Sequence, residues 1–100
     1  MPQTKEMTIK SLIATHAEDI AFVTEQDPAT TLNDFITQIG TAVTRMEDAG
    51  INGTEDLEDA TTYLADLEDA ADSDKHVLLK QAAKRLRNTW DMVDEYREMV

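Results

Sequence analysis

A chain of 100 residues, 41% of them apolar, is long enough for one domain with a modest buried core. The absence of cysteine excludes disulfides and thiolate metal sites. A formal net charge of −12 opposes direct binding to nucleic acid or to an anionic membrane and favours basic partners.

The first predicted element is an amphipathic helix over residues 9–26. Its apolar residues recur at helical spacing, and Thr8 precedes them as a candidate N-cap. The Asp27-Pro28 pair should end the helix, because a residue before proline is pushed out of the helical conformation. His16 falls on the apolar side, where a packed core histidine is a better interpretation than a catalytic base.

A second helix is predicted over residues 32–49, with the cleanest apolar stripe in the chain. Thr31 is its candidate N-cap and Gly50 its expected stop. Gly40 lies inside this helix, where glycine costs about 1 kcal/mol relative to alanine. We therefore expect a neighbouring helix to approach closely at Gly40.

Two further helices complete the prediction. Thr54 is the candidate cap of a helix over residues 55–71, and Ser73 or Asp74 that of a long helix over residues 75–98. The connections are short, which favours antiparallel neighbours. The sequence thus predicts an all-α fold, a small antiparallel bundle of about four helices. It forms a single acidic domain over residues 1–100, in which residues 1–7 fray.

The most unusual stretch is residues 54–74, which contain nine carboxylates and no Lys, Arg or His. Four of the nine belong to the first turns of the predicted third helix, where the helix dipole favours anions. The other five lie toward its C-terminal end, where the dipole disfavours them: Asp66, Glu68, Asp69, Asp72 and Asp74. Helix 4 could neutralise some of these with Lys75, Lys80 and Lys84.

The acidic stretch favours a non-enzymatic interaction protein whose negative helical face binds a basic groove. On a continuous helix the acids would recur about every 3.3 Å, close to the roughly 3.4 Å between phosphates of one DNA strand. The partner would then be a basic protein, such as a nucleic-acid-binding complex. The chain would act as a DNA-mimic-like inhibitor, as phage-type inhibitors of CRISPR or restriction systems do. The expected binding residues are Glu55, Asp59, Asp66, Glu68, Asp69, Asp72 and Asp74.

An alternative is a structural or adaptor bundle, monomeric or homodimeric, that binds through apolar surface near the C-terminus. The candidate patch contains Trp90, Met92, Tyr96, Met99 and Val100. Two further interpretations need no partner: the acids could serve solubility or adaptation to high salt, and the thirteen threonines fit the second.

Catalytic and metal-binding chemistry is weakly represented. Neither histidine lies in a recognisable motif, so we expect no enzyme, catalytic residue or cofactor. Residues 48–59 partly match a calcium-binding EF-hand loop, but Gly50 occupies a ligand position and Asp59 replaces the bidentate Glu, so no metal site is predicted. No run resembles a signal peptide or a membrane span, and we expect a cytoplasmic protein.

Overall fold

The computed structural model describes residues 8–99, which form an all-α bundle. The fold class predicted from the sequence is therefore confirmed. The predicted fraying of residues 1–7 lies outside the described residues, and the extent of the domain stays a prediction. Within residues 8–99 there are five helices: α1 (Ile9–Thr24), α2 (Leu32–Asp48), α3 (Thr54–Asp66), α4 (Asp72–Leu86) and α5 (Thr89–Met99).

Helix α1 begins where predicted and ends earlier. The Thr8 hydroxyl accepts a hydrogen bond from the Ser11 backbone at 3.0 Å, and the Ser11 hydroxyl accepts one from the Thr8 backbone at 3.0 Å. At the other end Glu25 adopts a left-handed conformation with φ of 58°, which stops the helix before proline can. Glu25 also forms an ion pair of 2.9 Å with Arg45, which links the end of α1 to α2.

Helix α2 has the predicted caps. Thr31 accepts a hydrogen bond from the Asp34 backbone at 3.2 Å. Gly50, with φ of 85°, donates its N–H to the Glu47 carbonyl, and Ile51 donates to the Met46 carbonyl, each at 2.9 Å. This pair of bonds satisfies the last carbonyls of the helix and turns the chain toward α3 while burying Ile51.

Helices α3 and α4 pack along one apolar seam, made by Leu57, Ala60, Leu64, Leu67, Leu79, Ala82 and Leu86. The prediction of helix α3 to residue 71 was wrong, because the helix ends at Asp66 and residues 67–71 form a turn. That turn keeps Leu67 buried at 2% exposure while reversing the chain.

The predicted caps of these two helices were also wrong. The N-cap of α3 is Gly53, with φ of 95°. Thr54 is instead the first helical residue, and its hydroxyl donates to Glu47 Oε2 at 3.0 Å. The N-cap of α4 is Ala71, which has no side-chain cap bond. Helix α4 therefore starts before Ser73 and Asp74, with two carboxylates in its first turn.

The predicted long fourth helix is divided at Arg87 and Asn88 into α4 and α5. The Asn88 amide donates to the Asp56 carboxylate, and the Asn88 carbonyl accepts from Met92 at 3.1 Å. Asn88 thus stands at the start of α5, a position that asparagine favours. The break has a packing reason: α4 packs chiefly on α3, whereas α5 packs chiefly on α1.

Contacts along α1 and α5 run in the same direction. Trp90 lies against His16, with ring centroids 5.2 Å apart, and Tyr96 meets Phe22 edge-on at 6.4 Å. The two helices are therefore roughly parallel, and α5 covers a side of α1 that α2 leaves open. Thr89, Met92 and Val93 are buried beneath this helix.

Replacing Gly40 with alanine should stabilise the protein. The close helix approach predicted at this residue was wrong: an added Cβ would meet nothing within 4 Å, and Gly40 is exposed. Since glycine costs about 0.5–1 kcal/mol in a helix interior, the free energy of unfolding should rise by about that amount. Urea unfolding of Gly40→Ala measures it, and a loss of stability would contradict the open environment.

Candidate functional site

The structure brings the seven predicted acidic residues into two groups, all exposed to solvent. Glu55 and Asp59 lie on the first half of α3. The other five surround the turn between α3 and α4 and are called the acidic corner: Asp66, Glu68, Asp69, Asp72 and Asp74. The face is therefore not a single helical stripe.

Helix dipoles account for part of this corner. Asp72 and Asp74 occupy the first turn of α4, where the dipole favours anions, so the expectation that a helix dipole disfavours them was wrong. Asp66 closes α3 at the end where the dipole is negative, and Glu68 and Asp69 lie in the turn. Three carboxylates therefore remain without a local structural reason.

Helix α4 supplies little neutralisation to the acidic corner. Lys75 reaches Asp72 at 3.7 Å, and that aspartate side chain is fully exposed. Across residues 8–99, Lys80 and Lys84 form no ion pair, and neither do Asp66, Glu68 or Asp69. Such exposed pairs contribute little, and the corner keeps its negative charge.

The first half of α3 is better compensated. Arg85 lies beside the Tyr63 side chain and near the carboxylates of Asp59 and Asp56, and these neighbours raise the pKa of its guanidinium. Asp56 also accepts the amide of Asn88. Asp59 therefore has a cationic side chain nearby, although no ion pair within 4 Å joins it to Arg85.

A groove opens at the acidic corner between the end of α3 and the start of α4. Its volume is about 410 Å³. Val77, 54% exposed, contributes an apolar side chain in a strongly negative region. We call it the corner groove; its lining residues are Asp66, Asp69, Ala70, Asp74, Val77 and Leu78.

The alternative apolar patch is only partly present. Met92 is buried, 5% exposed beneath α5, so its assignment to a surface patch was wrong. Trp90 and Met99 are 46% and 50% exposed, and Tyr96 is half-buried. Val100 lies outside the described residues.

Tyr96 instead helps to form a second groove, between α1 and α5. This α1–α5 groove has a volume of about 480 Å³ and is lined by Ala21, Phe22, Glu25 and Tyr96. Arg97 lies over the Phe22 ring at 4.7 Å, and its guanidinium also reaches Asp94 at 3.2 Å and Asp19 at 3.9 Å. The cation therefore shields part of the exposed ring.

Sequence reasoning missed Val77 and Phe22, which line the two grooves. Each lies off the apolar stripe of its own helix: Val77 is two residues before the buried Leu79, and Phe22 two after the buried Ile20. A displacement of two residues turns a helical side chain about 200° from the stripe. An apolar residue that lies off the buried stripe of its helix was the sequence signal that could have drawn attention to Val77 and Phe22.

The partial match of residues 48–59 to a calcium loop corresponds to no such loop. Helix α2 continues through Asp48, and α3 already begins at Thr54, so most of the segment is helical or a tight turn. Glu47 accepts the Thr54 hydroxyl at this turn. Within residues 8–99, no group of three or more His, Cys, Asp or Glu side chains is arranged to hold a metal ion.

His16 of α1 packs against α5 and is a strongly buried titratable side chain, with 3% exposure. Its Nδ1 has no protein hydrogen-bond partner among the described residues. Burial lowers the pKa of this imidazole below its usual value, and the nearby Asp19 opposes the shift. The ring therefore packs against Trp90 in its neutral form at neutral pH.

Comparisons with known proteins return no match: no family model, no curated protein and no solved structure corresponds to this chain. Among the helices of residues 8–99, none combines the length and the apolar character needed to cross a membrane.

Acidification should destabilise the fold through His16. Unfolding restores the ordinary pKa of about 6.5, so the unfolded chain binds a proton that the folded chain binds less readily. Stability should be highest above about pH 6.5 and fall as the pH decreases toward the folded-state pKa. Urea unfolding between about pH 7.5 and pH 5.5, above the usual range of carboxylic acids, measures this slope.

The matched variant is His16→Gln, which keeps a polar side chain but cannot titrate. Its free energy of unfolding should depend less on pH than that of the wild type, whatever its absolute stability. An equal slope in both proteins would show that His16 does not carry the effect.

Proposed function

We propose that this chain is a non-enzymatic interaction protein whose acidic corner binds a basic surface of another protein. The observation that carries the proposal is the exposed, unpaired state of Asp66, Glu68 and Asp69 within residues 8–99. Local stability does not require these charges, since no helix N-terminus or ion pair uses them. A partner rich in Lys and Arg would neutralise them and would be steered toward them before contact.

The finer proposal concerns the kind of partner. A basic groove that normally holds nucleic acid offers a dense set of cations, and the chain would occupy it as a DNA-mimic-like inhibitor, of the type that phage use against CRISPR or restriction systems. A cytoplasmic location follows from this choice. The acids do not repeat at the spacing of DNA phosphates along one continuous helix, because α3 ends at Asp66 and the acids continue around a turn. Support comes from exposed charge alone.

Neutralising three carboxylates of the acidic corner should weaken binding to the basic partner. The variant is Asp66→Asn/Glu68→Gln/Asp69→Asn, and pull-down from a host lysate followed by titration with the captured protein measures the loss. Three exposed charge pairs, at up to about 1 kcal/mol each, correspond to a loss of affinity of roughly tenfold to a hundredfold. Duplex DNA should compete with the wild type if the partner surface is a nucleic-acid groove.

A control with the same change in net charge is Glu18→Gln/Asp48→Asn/Glu95→Gln, three exposed acids outside the corner. It should retain the partner. Raising the salt from about 0.1 M to about 1 M shortens the Debye length from about 10 Å to about 3 Å and should weaken the wild-type complex. Binding that is indifferent to salt, or lost equally in both variants, would argue against a localised acidic site.

A second candidate function is self-association or adaptor binding through the α1–α5 side. The specific observation is that α1 and α5 carry three exposed large apolar side chains: Phe22, at 39% exposure, Trp90 and Met99. Two copies would each bring a net charge of −12, so like-charge repulsion opposes their contact.

Self-association of this kind would respond to salt in the opposite direction from the acidic complex. Sedimentation equilibrium should then show a dimer that strengthens at about 1 M salt, where repulsion is screened, and that Phe22→Ser weakens. The comparison variant is Val77→Ser, which removes an exposed apolar side chain from the corner groove instead. A monomer at all concentrations and both salt levels would count against this candidate.

A further inference from the structure

We infer that the corner groove receives an apolar side chain of the partner, flanked by Lys or Arg, so that the partner presents a basic amphipathic segment. This inference rests on the proposed function and specifies the chemistry of its partner. A flat array of cations would satisfy the carboxylates alone, whereas the lining of the groove combines carboxylates with the apolar residues Ala70, Val77 and Leu78.

The arrangement of groups in the groove supports two kinds of contact at once. Asp66 is the last residue of α3, Asp69 lies in the turn and Asp74 belongs to the first turn of α4, so the carboxylates that line the groove come from three segments of the chain. The other lining residues are Ala70, Val77 and Leu78, and Leu78 packs against the core of the bundle. No Lys or Arg lines the described groove.

The carboxylates are placed for separate cationic groups. Within the described part of the chain they do not converge into a cluster able to hold one metal ion. Lys and Arg side chains combine long apolar stems with a charged end, and can therefore reach such dispersed acids while their backbone stays over the groove.

The proposed apolar contact with the partner depends on Val77. Its side chain is 54% exposed, off the buried stripe of α4, in a helix where β-branched residues are slightly unfavourable. Packing within the chain thus gives little reason for valine. Covering its exposed methyl groups with an apolar side chain of a partner would remove them from water.

The probes for the test are three synthetic peptides of equal length and charge. One carries a single leucine between Lys and Arg residues, the second has serine in place of that leucine, and the third has the same residues with the leucine moved to one end. Isothermal titration at about 0.1 M salt compares their affinity for the full chain, and backbone amide NMR shifts locate each complex.

The peptide with central leucine should bind about tenfold more tightly than the serine peptide, with shifts at residues 66–78. Burial of most of a leucine side chain accounts for a difference of this size. Val77→Ser should lower affinity for the leucine peptide toward that of the serine peptide and leave the serine peptide unaffected. The terminal-leucine peptide should resemble the serine peptide.

Three results would overturn the inference in distinguishable ways. Equal affinity for all three peptides, with binding still lost in Asp66→Asn/Asp69→Asn, would remove the apolar pocket and leave the acidic interaction surface standing. Binding that is unaffected by Asp66→Asn/Asp69→Asn would remove the proposed acidic site itself. Leucine-dependent shifts around Phe22 and Tyr96 in place of the corner would transfer the apolar contact to the α1–α5 groove and also contradict the inference.

Discussion

The apolar seam between α3 and α4 holds the most acidic part of the chain in a fixed shape. Leu57, Leu64 and Leu86 are completely buried along it, and Leu67 extends the contact into the turn. Like charges repel along α3 and around the turn, and such repulsion weakens an isolated helix. Packing of the seam offsets that repulsion, so the exposed carboxylates can be presented without a disordered backbone.

The acids differ in what they do for the protein itself. Glu55, Asp72 and Asp74 lie in first turns, where helix dipoles favour them, and Asp59 lies near Arg85. Asp66, Glu68 and Asp69 have neither advantage. The proposed external partner rests on the concentration of three such carboxylates within four residues, at positions 66–69. The corner groove then adds an apolar component, which charge alone could not have suggested.

Sequence reasoning predicted the parts of the fold that depend on local chemistry. Thr8, Thr31 and Gly50 act through hydrogen bonds to residues only a few positions away, and their roles were correctly inferred. The break near Asn88 was not inferred, because the buried residues at 79, 82, 86, 89 and 93 keep one helical spacing through it. The break follows from the choice of different packing partners by α4 and α5, which is a property of the tertiary structure.

The same distinction between local chemistry and tertiary packing explains which features of the candidate site could be predicted from the sequence. The acidic residues were visible in the sequence, and their exposure followed from their charge. Their division into two groups could not be predicted from the sequence, because it depends on the end of α3 at Asp66 and on the start of α4 at Asp72. Val77 could be recognised as a groove residue only after α3 and α4 were seen to meet at the turn.

The parallel contact of α1 and α5 has a consequence for the order of folding. Helices α1 to α3 are neighbours along the chain and can pack early, but the side of α1 that carries His16 is covered by Trp90, 74 residues further along the sequence. Since docking of α5 closes a loop of nearly the whole chain, it belongs to the last steps of folding. An apolar strip of the first helix therefore stays uncovered until α5 docks, and this late contact completes the bundle.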